Sequence, residues 1–374
     1  MESHHTRKAP LIVLSMLTLL VLFLFFLHCS TYPVETNTNN VLEFESIWQY
    51  LKTYCIWQDS IPLPANPFTF SSPEKLLAST NDTLHGVLYT RYDDTIHNVL
   101  YYSMASIYDA NATHAKISAV PAPNTTVFYD SITPKTALME ITEFVRDSTY
   151  NQFLHILPFL SRFANIMVDL RWNGGGEISA LDSIISYFLP LGTPYIIATY
   201  RDYDKSTQTA TTKYNEKWTV KNTHAVSLAN KTIVILMNKG SASASEMMAA
   251  GLKDGRAAAT GEQVKIVGET SYGKGIGQIV VNRQVFGKRD VKITFLRVKR
   301  NCGCADSIYH RKGIVPDIMV TNANDTIADT LQLSAAIRVL EPTVRIKWLA
   351  ATLAKRGPNA GAEFSVIGNG DFEH

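Results

Sequence analysis

The sequence predicts an α/β layered domain with parallel strands, preceded by a small, mainly helical domain and an apolar N-terminal anchor. Three observations carry this. From about residue 126 onward, short apolar strands alternate with helical segments. Several of those strands run directly into turns rich in glycine or serine. Upstream, in 41–125, apolar residues recur at helical spacing instead.

Arg7 and Lys8 precede Leu11–Leu27, an uncharged apolar run. It exceeds the roughly 7–15 residues of a cleavable signal core and approaches the roughly 20 of a membrane span. Residues 1–30 therefore predict a signal-anchor whose basic flank stays inside, leaving the remaining chain on the periplasmic or extracellular side. Lipidation at Cys29 is an alternative, opposed by His28 where a small residue is needed. Residues 31–40 form a polar tether. In 41–125, Leu42, Ile47 and Leu51 share a helical face, and Ser72 with Pro73 opens another helix. The stretch Gly86–Ala110 predicts one or two more helices, and a proline-rich linker, Ala119–Thr125, ends the segment.

Residues 126–345 hold the alternating part. Thr136–Phe144 predicts a strand and residues 150–163 a helix despite Pro158. Asn165–Arg171 predicts a strand, Ile178–Leu189 a helix, and Pro194–Asp204 and Lys231–Asn238 two strands, the second apolar enough for burial on both faces. A helix over Ser243–Asp254, a strand over Val264–Ser271, a hairpin of Gly277–Phe286 with Asp290–Arg300, and a helix over Asp329–Leu340 follow. Residues 346–374 are a tail.

Composition narrows the function. The 35 basic and 33 acidic residues are intermixed, with no Lys/Arg-rich run, which argues against a nucleic-acid partner. Cys29, Cys55, Cys302 and Cys304 lack zinc spacing, so no metal is expected; one disulfide, involving Cys55, is possible.

Three turns carry the chemistry, since loops at strand C-termini build the site in α/β sheets. Gly174-Gly175-Gly176 offers unobstructed backbone N–H groups, as an oxyanion hole requires, or a tight turn. Ser241, Ser243 and Ser245 precede an Ala/Met-rich helix. Ser243-Ala244-Ser245-Glu246 fits a capping box, and a nucleophile at a helix N-terminus is equally well placed. Gly268-x4-Gly273-Lys274 approaches a nucleotide-binding loop but has Gly275 where a hydroxyl must hold Mg²⁺. Lys274 is otherwise a surface lysine or a buried, neutral general base; the second requires its pKa to fall from about 10.4 towards 7–8. On a strand, Lys274, Ile276 and Gln278 would share a face. His155, His224 and His310 lie apart from these turns in sequence and read as surface or satisfied core residues.

"VDLRWNGGG", "GSASASE", "GETSYGKGIGQ" and "KGIVPDIMV", in this order, resemble the C-terminal processing peptidases (tail-specific proteases) over about residues 130–340. The resemblance implies a crotonase/Clp-like layered fold and a serine–lysine dyad without metal or cofactor. Ser243 would be the nucleophile, Lys274 the base and Gln278 its assistant, with Gly175 or Gly176 and the Ala244 amide forming the oxyanion hole. It implies a polypeptide substrate and, with the anchor, an envelope endopeptidase. No PDZ domain is evident in residues 41–130, and about six additional residues around Asp254–Gln263 predict a longer surface loop. A catalytically inactive peptide-binding member of the same fold and a P-loop hydrolase are the alternatives.

Overall fold

The computed structural model describes residues 45, 48–56, 69, 92–94, 99–101, 105–109, 125–281, 289–321 and 325–343. The Leu11–Leu27 run, the tether and the 346–374 tail lie outside the described residues; among those described, no helix is long and apolar enough to cross a membrane.

In chain order the strands are β1 (Tyr92–Asp94), β2 (Val99–Tyr101), β3 (Ala105–Asp109), β4 (Val127–Ser131), β5 (Thr136–Ile141), β6 (Asn165–Asp169) and β7 (Pro194–Asp204). They continue with β8 (Thr209–Thr219), β9 (Thr232–Met237), β10 (Lys265–Gly268), β11 (Ile276–Val281), β12 (Arg289–Arg300) and β13 (Ile318–Met319). The helices that frame them are α1 (Ser148–Leu160, with Pro158 inside), α2 (Ile178–Ile185), α3 (Ala244–Thr260) and α4 (Asp325–Leu340). Residues 48–54 are helical as well.

The sheet that positions the site has the order β13-β10-β9-β6-β5-β4. Its pairs are parallel except β4 with β5. Strands buried on both faces should be apolar along their interiors, and Ile166–Val168 of β6, Ile233–Met237 of β9 and Ile266–Val267 of β10 are. Their side chains alternate between two cores. Met139, Ile141, Ile166, Val168, Ile235 and Ile266 face the larger one, shared with α1, α2 and α3. Leu138, Met167, Val234, Leu236 and Val267 face a smaller one closed by Leu333, Ala336 and Ile337 of α4. The mixed α/β class therefore holds.

The second sheet is antiparallel, with the order β1-β2-β3-β12-β7-β8 and β11 also paired to β12. The expected hairpin is present as β11 and β12. One expectation here needs correction. The described residues of the Gly86–Ala110 stretch are strands, not helices: β1, β2 and β3 form a meander whose last strand pairs with β12, Ile107 opposite Val291. Short aromatic and β-branched runs there follow the available sheet edge in preference to a local helical period. Within the expected helical N-terminal domain, residues 48–54 are helical and nearby Ile56 donates its N–H to Thr294 O, while the helix expected at Ser72 and Pro73 and the linker at 119–124 lie outside the described residues.

The additional residues after Asp254 are not a surface loop but the last turns of α3. Arg256 is buried and reaches the carbonyls of Phe188 and Lys231 and the carboxylate of Glu262. Asp254 forms a two-pronged ion pair with Arg300 of β12. A Cβ at Gly251 would stand 2.7 Å from Ile185 Cδ1, so its absence lets α3 lie close against α2 and β7. Cys302 and Cys304 form a disulfide with each other, and Cys55 is buried without sharing that bridge.

Candidate active site

Strands β6, β9 and β10 are adjacent and parallel, so the three turns that follow them emerge side by side. Backbone and side-chain hydrogen bonds then stitch them together. Ala242 N donates to Asn173 O at 2.9 Å, and Tyr272 N donates to Ser241 O at 2.9 Å.

The three serines of the middle turn have different duties. Ser241 Oγ donates to Leu170 O at 2.8 Å and accepts from Asn238 N at 3.0 Å. Ser245 Oγ donates to Asn173 O at 2.8 Å. Both are fully buried, and their hydroxyls pin the turn to the end of β6. Ser243, between them, is partly exposed and caps α3 with φ 58° and ψ −116°, a conformation that L-residues rarely adopt. A hydroxyl held on a strained strand-to-helix turn, at the positive end of a helix dipole, is an arrangement suited to a nucleophile.

The glycine turn packs directly on it. A Cβ at Gly175 (φ 104°) would lie 2.6 Å from Ser243 Cβ and 3.0 Å from Ala244 N. The Gly175 N–H, however, donates to Asn173 Oδ1 at 2.8 Å, while Asn173 Nδ2 holds Ile141 O. Gly176 is exposed, and its backbone approaches Phe144 so closely that a Cβ would sit 2.1 Å from Phe144 O. Of the two candidate oxyanion donors, Gly175 is thus engaged locally and Gly176 faces outward. Ala244 is buried in the first turn of α3.

The lysine turn rests on the 309–314 segment. Arg311 N donates to Gly273 O, Ser271 N to Ile314 O, and Ile314 N to Ser271 Oγ. Gly273 (φ 91°) would place a Cβ 2.7 Å from Gly313 N. His310, far away in sequence, stands beside this turn after all: its Nδ1 accepts from Gly275 N at 3.3 Å. Burial, then the charge of Arg311, lowers its pKa to about 4, so the ring is neutral at physiological pH. Lys274 lies two residues ahead of β11, and Gln278 on that strand donates to Thr294 Oγ1 at 3.3 Å.

Glu246 joins the two turns. Its Oε2 accepts from Ser243 N at 2.9 Å and from Lys274 N at 2.7 Å; its Oε1 accepts from Gly273 N at 2.7 Å and from Ser271 Oγ. The amides of the candidate nucleophile and base therefore converge on one oxygen of a fully buried carboxylate. Burial raises the pKa of this group, and its four donors oppose that rise.

Sequence reasoning gave Glu246 only a capping role and overlooked two further supports. Arg171 grips Asp169 in a fork, Nε to Oδ1 at 2.9 Å and Nη2 to Oδ2 at 2.6 Å, and also contacts Gln332 of α4. That buried pair fixes the exit of β6. Asn238 Oδ1 accepts from Trp172 N at 2.9 Å and Gly240 N at 3.0 Å, linking the first two turns. The D-x-R spacing at a strand end was the available signal for the ion pair.

Residues 135–320, about half of the chain, match the family model for peptidase family S41. The chain belongs to peptidase family S41, among the C-terminal processing peptidases. It is 28% identical over 174 residues to carboxy-terminal processing protease CtpB of Bacillus subtilis (strain 168), covering 46% of this chain and 31% of that protein. It is 28% identical over 206 residues to a carboxyl-terminal-processing protease of Synechocystis sp. (strain ATCC 27184 / PCC 6803 / Kazusa), covering 53% and 42%. The chain thus spans less than half the length of these curated relatives. A solved structure assigned as an S41 protease from Bacteroides fragilis NCTC 9343 superposes with a TM-score of 0.52 at 14% identity, over 80% of this chain and 98% of that one, which supports the fold. All three turns lie within the matched S41 segment.

Proposed function

We propose that this S41 member is a serine endopeptidase that cuts polypeptides with a Ser243–Lys274 dyad. Ser243 Oγ attacks the peptide carbonyl. The neutral Lys274 amine takes the serine proton and returns it to the leaving amine, and water then repeats the sequence on the acyl-enzyme. The developing oxyanion is held by the Ala244 amide together with Gly176, or with Gly175 once Asn173 releases it. Gln278 steadies the lysine. The chemistry needs no metal or cofactor.

The observation that carries this reading is the division of labour among the serines. Ser241 and Ser245 are buried and committed to carbonyls, whereas Ser243 is accessible and shares its carboxylate anchor with Lys274. The Leu11–Leu27 run behind Arg7 and Lys8 supports a membrane-tethered enzyme acting outside the cytoplasm, on envelope or unfolded proteins.

Casein digestion by the full-length chain tests it. Wild type should cleave, and Ser243→Ala and Lys274→Ala should each lose at least about a thousandfold in rate. Undiminished cleavage by either variant ends the dyad assignment. Peptide binding without cleavage by the wild type would point to the inactive alternative.

A further inference from the structure

We propose that Trp172 is a specificity-determining residue: its ring walls the approach to Ser243, so peptides with a large apolar or aromatic side chain beside the scissile bond are cut best. This rests on the peptidase reading above.

Trp172 lies in the turn that carries Gly175 and Gly176. The residue is 51% exposed, a high value for the largest apolar side chain. Yet the ring is not loosely placed. Trp172 N is held by Asn238 Oδ1 at 2.9 Å, and the ring edge lies over Gly240, where a Cβ would come within 2.5 Å of Cε3. Gly240 is three residues before Ser243 in the same turn. Lys239 Nζ stands 5.6 Å from the ring centroid and supports it through a cation–π contact.

Trp172 also has φ 61°, a left-handed conformation that is an outlier for a bulky residue and natural for glycine. Folding alone therefore favours a different residue here. A strained, half-exposed indole at the edge of a reaction site is better explained by what it contacts there. Tyr272, 47% exposed, belongs to the lysine turn, with its N–H on Ser241 O at 2.9 Å. Two exposed aromatic residues are thus anchored by their amides to the same Asn238–Ser241 turn. A substrate side chain entering beside Ser243 meets flat apolar surface. Aromatic faces select large apolar groups through area and offset stacking.

The test is kcat/KM on two peptides that differ at one position flanking the cleaved bond, Phe against Ala. Trp172→Gly suits the backbone and should fold, which thermal melting checks. Its Phe/Ala preference should fall roughly tenfold or more relative to wild type, and Trp172→Phe should retain most of it. Gly240→Ala, which displaces the ring without altering it, should shift the ratio in the same direction as Trp172→Gly. Wild-type ratios in Trp172→Gly overturn the inference while leaving the peptidase reading intact. A wild-type chain that neither cleaves casein nor labels with a fluorophosphonate removes both.

Discussion

The serine turn and the lysine turn mix side-chain and backbone contacts in different proportions. Around Ser243, side-chain hydroxyls and amides reach backbone carbonyls: Ser241 to Leu170, Ser245 to Asn173, Asn173 to Ile141. Around Lys274, backbone lies against backbone, with Gly273 and Gly313 giving up their side chains so that two segments can touch. Deleting an oxygen should therefore weaken the first turn, and adding a carbon should weaken the second. Glu246 belongs to both, because its carboxylate accepts from Ser243, Ser271, Gly273 and Lys274.

The largest effect should follow from removing that shared group. Glu246→Ala leaves three amides and a hydroxyl in a buried site without their acceptor. Each orphaned donor costs about 1–3 kcal/mol, and partial relaxation brings the expected total to about 3–5 kcal/mol. Casein cleavage should fall to background, and the urea midpoint should drop with little change in slope. Glu246→Gln should be intermediate in stability, because one acceptor oxygen remains while an NH₂ faces N–H donors. Activity within a few-fold of wild type in Glu246→Ala would mean that the two turns are positioned independently.

The next prediction sets the turns against each other. Gly313→Ala puts a Cβ 2.2 Å from Ser271 O at a residue with φ 77°. Both the collision and the backbone penalise it, by about 2–4 kcal/mol. Ser245→Ala removes one donor from Asn173 O, which keeps the Ala242 N–H, so about 1 kcal/mol is expected. Denaturant titration of the two variants should show that order. The reverse order would mean that the lysine turn shifts easily and that glycine contact is not what fixes it.

Legibility divided along the same line. The parallel strands were readable because burial on both faces demands continuous apolar runs, as in Ile166–Val168 and Ile233–Met237. Ser243, Lys274 and the glycine turn were readable as motifs at strand ends. Strand β8 was not: Thr209–Thr219 is mostly exposed and polar, and its pairing with β7 supplies the order that its own sequence does not signal. Strands β1 to β3 were misread because their assignment depends on β12, nearly two hundred residues away. The end of α3 was misread because two glycines and a buried Arg256 look like a loop until Phe188, Ala229 and Lys231 are brought beside the guanidinium. His310 and Trp172 were missed for the same reason, since their partners lie in other turns.

The smallest effect concerns pH and isolates the lysine turn. His310 has a folded pKa of about 4, below the ordinary 6.5, chiefly through burial, so the unfolded chain binds its proton first as pH falls. Stability from this group is complete above about 6.5 and is lost as pH drops towards 4. The ring is only partly enclosed, so the loss should be on the order of 1 kcal/mol. Glu246, with its raised pKa, acts in the other direction: its contribution is lost as pH rises through the folded value, so acid relieves its burial. The ring is thus the acid-sensitive member of the pair. Denaturant midpoints for wild type and His310→Asn between pH 7 and 4.5 should converge as pH falls, with the variant's curve the flatter. Parallel curves would place the acid sensitivity elsewhere and leave the lysine turn as a purely steric structure.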